Sequence, residues 1–127
     1  MASHSEPRIQ TFLAEIDLSA LKNRFMTSGT ANNQVTTAGL NAKTVGILMN
    51  DPKINGFAEV ALPGGGAKLK ISETVARLKY LTSDANGQGE VADASGEHVG
   101  AIAAENGVSA DVIAVEVTSF EASSSDA

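Results

Sequence analysis

The sequence predicts a mainly β fold, a small barrel or sandwich built from two related strand units. Short apolar stretches alternate with Gly, Asn and Asp turns, the chain repeats itself internally, and one ten-residue stretch alone has clear helical spacing. The 127 residues fit a single domain. Hydrophobic residues make up 43%, but 20 of them are alanine. Val, Ile, Leu and Phe still number 30, enough for a packed interior. With no Cys, disulfides and thiolate chemistry are excluded.

Residues 1–17 read as a flexible N-terminal arm. They are polar, contain Pro7 and Arg8, and carry isolated apolar residues at Ile9, Phe12, Leu13 and Ile16. The body spans 18–118, and 119–127 reads as a disordered tail. Within the body, segments 45–49, 57–62, 67–71, 79–82, 99–104 and 111–118 read as strands. Between them lie Asn55-Gly56, Pro63-Gly64-Gly65-Gly66, Asn86-Gly87 and Asn106-Gly107, pairs that tolerate the positive φ of tight turns. Alternation places Leu69 and Ile71 on one face and Lys68 and Lys70 on the other. The same period puts Ile113, Val115 and Val117 together. The helical candidate is 72–81, where Ser72 suits a cap and Val75 and Leu78 share a face. Asp17 to Lys22 is a weaker candidate for one turn.

A shift of 54 residues superposes Ala31, Asn32, Gln34 and Ala38 on Ala85, Asn86, Gln88 and Ala92, and Val45-Gly46 on Val99-Gly100. The repeat covers about 31–62 and 85–117. It implies two similar β-units, neither able to bury a face alone, that close against one another. Gly46, Gly56, Gly64, Gly87 and Gly100 are the structural glycines, at turns or where backbones approach closely.

Reactive groups are few. His4 lies in the arm, and His98, beside Glu97, reads as a surface or strand-edge residue. No metal site, cofactor site or catalytic set is expected, and no enzyme. Pro63 to Lys68 lacks the Gly-Lys-Ser/Thr and following helix of a phosphate loop. Asp84-Ala85-Asn86-Gly87 opens like a calcium loop but lacks the later ligands, and reads as an Asx turn. Apolar runs are too short for a membrane span, and no basic stripe with interleaved aromatics suggests nucleic acid. No secretory leader is visible in the first 25 residues. Charge is uneven: residues 1–79 hold all nine Lys and Arg against six acids, and 80–127 hold nine acids alone.

Val45-Gly46-Ile47-Leu48, the 57–62 strand with its Pro-Gly turn, Leu81-Thr82-Ser83-Asp84-Ala85-Asn86-Gly87, Val99-Gly100-Ala101-Ile102-Ala103 and the 112–117 strand carry a family resemblance. In that order the chain resembles the tailed-bacteriophage capsid cement (head decoration) proteins, of the small β-rich kind similar to the lambda head decoration protein. The resemblance covers about 18–118. It implies a small β-barrel or β-tulip domain on the outer surface of an expanded head, as a virion protein made in the host cytoplasm. The partner it implies is the major capsid protein, bound by a homotrimer that stabilises contacts between capsid subunits. An N-terminal arm commonly helps, which makes Pro7, Arg8, Ile9, Phe12, Leu13 and Ile16 the expected capsid contacts. Two departures stand out: the lead-in is long, and Ala76-Arg77-Leu78 stands where a Gly-containing turn is usual. The alternative is a receptor- or carbohydrate-binding β-domain of a phage head spike or fibre, which the scarcity of Tyr and Trp disfavours.

Overall fold

The computed structural model describes residues 8–93 and 96–122. Ten strands follow in order: β1 (Ile9–Ala14), β2 (Phe25–Ser28), β3 (Gln34–Thr37), β4 (Gly46–Leu48), β5 (Phe57–Ala61), β6 (Gly66–Lys70), β7 (Tyr80–Ser83), β8 (Gly89–Val91), β9 (His98–Ala103) and β10 (Val112–Glu121). The first five close a barrel in the order β1-β3-β2-β4-β5, and the last five form a sheet in the order β6-β10-β9-β7-β8. Read around the closed ring in the other direction, as β1-β5-β4-β2-β3, the first order matches the second strand for strand. A single parallel bridge between Ile71 and Gly89 spans the gap between the second sheet's outer strands, where the first unit pairs Ala14 with Val35 in parallel.

The ladders make the duplication explicit. Met26 opposite Thr37 in the first unit matches Leu81 opposite Val91 in the second, and Phe25 opposite Ile47 matches Tyr80 opposite Ile102. Every left-handed turn in the first unit has its counterpart: Asn23 with Leu78, Asn33 with Gly87, Asn41 with Gly96, and Asn55 with Ala110. Turn hydrogen bonds repeat as well. Asn23 N–H donates to Leu48 O as Leu78 does to Ala103 O, and Asn55 N–H donates to Ala14 O as Ala110 does to Ile71 O. Even a side-chain contact recurs, since the Glu59 amide donates to Asn50 Oδ1 and the Ala114 amide to Glu105 Oε2.

This extends and corrects the sequence repeat. The duplication runs from β1 to β10, so each unit owns five strands and its own interior. Pairing sets the offset at 54 only for β3 and β8. For β4 and β9 it is 55, which matches Ile47 with Ile102 and Gly46 with Ala101, not with Gly100. Side chains alternate with period two, so one residue of offset decides which of them face inward.

Residues 9–14 are not part of an arm. They pair with β5 along their whole length, from Ile9 opposite Ala61 to Leu13 opposite Phe57, and close the first barrel. Residues 1–7 and 123–127, the rest of the expected arm and tail, lie outside the described residues, and β10 itself runs on through Glu121. The expected helix over 72–81 is absent. Val75 forms two backbone hydrogen bonds with Gly107, which carry its side chain into the second interior, and Leu78 at φ 75° cannot continue a helix. Asp17 to Lys22 forms a turn, with Ser19 N–H capped by Asp17 Oδ1.

Two cores result. Ala14, Leu18, Met26, Val35, Leu48, Ala58 and Val60 fill the first barrel. The second interior, including Leu69, Ile71, Val75, Leu81, Ala103, Ile113 and Val115, is continuous with the outer face of the first unit, through Phe25, Ala38, Ile47 and Ala61. Backbone bonds stitch the junction. Phe25 N–H donates to Gly87 O at 2.7 Å, Lys70 N–H to Asn23 O at 2.7 Å, and Asn41 N–H to Ser83 O at 2.9 Å. In the first unit the atoms equivalent to Lys70 N and Gly87 O bond each other, Leu13 N–H donating to Asn33 O at 2.6 Å. The second sheet stays open because the Asn23–Phe25 segment takes those two bonds.

Candidate functional site

The outer face of the β1–β5 pair is the most unusual surface. Along it run Ile9, Thr11 and Leu13 on β1, and Phe57, Glu59 and Ala61 on β5. Phe57 is 72% exposed and Ile9 49%. Next to this pair, Ala14 N–H donates to Gly56 O and Asn55 N–H to Ala14 O, which set the Ile16 and Ile54 segments side by side. Ile54 is 59% exposed and Ile16 43%. The equivalent face of the second unit carries Gly66, Lys68, Lys70, Val112, Ala114 and Glu116, with Lys68 4.0 Å from Glu105. One fold therefore presents an apolar face on one unit and a charged face on the other. Clustered exposed apolar side chains mark interaction surfaces in proteins otherwise built to be wet.

The expected contact residues divide accordingly. Ile9, Leu13 and Ile16 lie on or beside this face, with Leu13 half-buried. Phe12 turns inward and packs on the first core. Arg8 is exposed and reaches back, Nη1 donating to Pro63 O at 3.1 Å, and Pro7 lies outside the described residues. Phe57 and Ile54, which sequence reasoning missed, are the most exposed members. Their only signal is an apolar residue on either side of the Asn55-Gly56 turn. β1 also offers backbone: β3 pairs with it at Leu13 and Ala14 alone, so on that side Ile9 to Phe12 pair with no named strand.

Among the five glycines, Gly56 ends a tight turn, its N–H donating to Lys53 O. Gly64, at φ 99°, lies in the loop that joins the units and donates to Val117 O; a strand follows it, and no helix. Gly87 lies at φ 81°. Gly46 and Gly100 are not turn residues; they lie buried inside β4 and β9. The Asp84 loop is an Asx turn, Oδ1 accepting from Asn86 N–H at 2.8 Å and Gln88 N–H at 2.9 Å.

Nor is His98 a surface residue. It opens β9, is buried, and lies 3.5 Å from Ser119 Oγ. Burial first, and the Lys43 charge second, lower its pKa below 6.5. No group of three or more His, Asp or Glu among the described residues is placed to hold a metal ion.

Charge is sorted by unit. Residues 8–64 hold five basic residues and four acids, and 66–122 hold four and nine. Burial, and then the charges of Asp84, Glu73, Glu97 and Asp93, raise the Glu90 pKa above its usual 4.5. Folding therefore disfavours the Glu90 carboxylate. That penalty is complete above the raised pKa, shrinks as pH falls through it, and is gone below the unfolded value. Glu90→Gln is expected to raise the melting temperature at pH 7 by about 1–2 °C, the scale of a surface charge substitution. Melts at pH 4 should show the advantage gone.

No family model and no curated protein matches the chain. A solved structure does: the head fiber gp8.5 N base of bacteriophage phi29, with a TM-score of 0.70 over 91% of this chain and 98% of that one. The two share a fold. Their sequences are 13% identical, so the likeness is architectural and transfers no residue roles. It spans both units, and so includes the duplication rather than one barrel alone.

Proposed function

We propose that the protein is a structural component of a phage head that binds the outer surface of the expanded shell and stabilises contacts between major capsid subunits. In this reading it acts as a homotrimer, without catalysis, cofactor, nucleic acid or membrane. The near-complete fold likeness to a phage head-fibre base carries the reading. The apolar β1–β5 face supplies a contact surface suited to it, and the open edge of β1 offers strand addition to a capsid segment.

Purified protein added to expanded heads of the parent phage that lack it should bind saturably and raise the temperature at which they rupture. Absence of saturable binding would overturn the proposal. Phe57→Asp removes the most exposed aromatic from the face without touching either core. It should weaken head binding at least about tenfold, the scale of losing one buried aromatic anchor, and leave the melting temperature nearly unchanged. Cosedimentation across a concentration series reads the first quantity and thermal denaturation the second.

The second reading is a domain at the base of a head fibre or spike that also binds a receptor or carbohydrate. The solved structure it resembles belongs to a head fibre, which favours attachment. Tyr80, the chain's one Tyr, is half-buried and stacks edge-on against Phe120 with centroids 5.1 Å apart, so it offers no open platform for a sugar. A glycan array that returned a specific ligand would move the reading this way.

A further inference from the structure

The duplication shows what each unit does with its outer face. In the first unit, Phe25 and Ala38 pack against the second unit, and Asn41 N–H donates to Ser83 O. The equivalent residues of the second unit are Tyr80, Ala92 and Gly96. They too are covered, but by the far end of β10 and the residue after it: Tyr80 and Ala92 cluster with Val99, Phe120 and Ala122, and Gly96 N–H donates to Ala122 O at 2.7 Å. Ala122 N–H completes the contact by donating to Glu97 O at 2.8 Å. The end of β10 thus stands where Ser83 of a following unit would stand. It reaches this position through a register shift between Val117 and Phe120, which carries β10 past the length its counterpart β5 uses.

We propose that residues 118–122 form a displaceable cap over a docking face for a second copy of this chain, and that the first unit of that copy takes the cap's place. The first unit of that copy contains the counterpart of the element that fills this role within the chain. Ser28 is the ladder equivalent of Ser83, and it is exposed. Docking is therefore head to tail, second unit onto first, a heterologous contact that closes into a ring or extends into a filament. Gly87 and Gly100 leave room for Phe25, and the equivalent positions of the first unit carry the larger Asn33 and Val45, so the contact between copies is shallower than the one within a chain. In repeat arrays a unit's open face is covered by a neighbouring unit or by a capping segment, and residues 118–122 cover this one.

Cysteine is absent from the sequence, which makes engineered pairs clean reporters. Two full-length proteins, one carrying Ser28→Cys and the other Gly96→Cys, are mixed and oxidised, each with and without Phe120→Glu. The charge breaks the Tyr80–Phe120 contact and releases the cap. The mixed cross-linked dimer should rise about tenfold with Phe120→Glu, the upper range for loss of one aromatic pair. Ala122→Pro, which removes the N–H that bonds Glu97, should act in the same direction by a different route. Circular dichroism melts identify which cap variant remains folded, and the folded one is scored. A folded, cap-released protein that gives no more mixed dimer than its parent overturns the proposal.

Discussion

Phe25→Ala is expected to lower the stability of the whole chain by about 3–5 kcal/mol, the range for removing a large buried aromatic. The residue belongs to β2 of the first barrel by its backbone and to the second unit's core by its ring. It is fully buried, and its N–H also holds Gly87 O. Truncation leaves a cavity at the junction, beside the buried Thr44 Oγ1, which has no hydrogen-bond partner among the described residues. Loss of the ring should therefore uncouple the units as well as weaken them. Chemical denaturation of the variant is expected to shift to lower denaturant and to broaden. An unchanged midpoint would show that Phe25 contributes little at the junction.

Gly46→Ala is expected to cost about 1–3 kcal/mol or more, for the opposite reason. A Cβ on Gly46 would overlap the carbonyl oxygen of Ala61, and would lie 2.9 Å from its carbon and 2.8 Å from Val60 Cγ1. Two of those three atoms are backbone, held in the β4–β5 ladder by the pairing of Ile47 with Ala61, so rotation of a side chain gives no relief. Relief requires opening the ladder that closes the first barrel. Amide exchange should show it, with Met49, whose N–H donates to Glu59 O, losing protection first. Gly39→Ala serves as the control, since a Cβ there meets nothing within 4 Å.

The legible parts of the fold were those written in short-range chemistry. Alternation in 67–71 and 111–118 placed Leu69, Ile71, Ile113, Val115 and Val117 inside, as the structure does. Asp84 announced its Asx turn, and the Asn-rich spacing exposed half of the duplication. β1 was not legible. Ile9-Gln10-Thr11-Phe12-Leu13-Ala14 lacks clean alternation because Phe12 and Ala14 face the core while Ile9 and Leu13 face the apolar outer surface. A strand apolar on both faces reads as scattered residues in a polar lead-in. The helix expected over 72–81 failed for a related reason. Val75 is drawn inward by Gly107, which is 32 residues away, and no local spacing reports that bond.

The candidate site was half visible for the same reason. Ile9, Leu13 and Ile16 were marked as exposed anchors, but the residue that dominates the face, Phe57, sits on a strand 44 positions later than Leu13. Contact across a sheet is set by register, which is a property of pairing rather than of either segment.

Composition, turn residues and repeat spacing together specified a mainly β chain with a duplicated plan, because turn φ angles and side-chain alternation are local properties. Tertiary structure decided that each unit keeps its own interior, that only the first closes fully, and that the end of β10 covers the face left over. These outcomes depend on which backbone groups pair with which across the whole chain. Asn23 and Phe25 satisfy Lys70 and Gly87, so the second sheet has no hydrogen bonds left with which to close there.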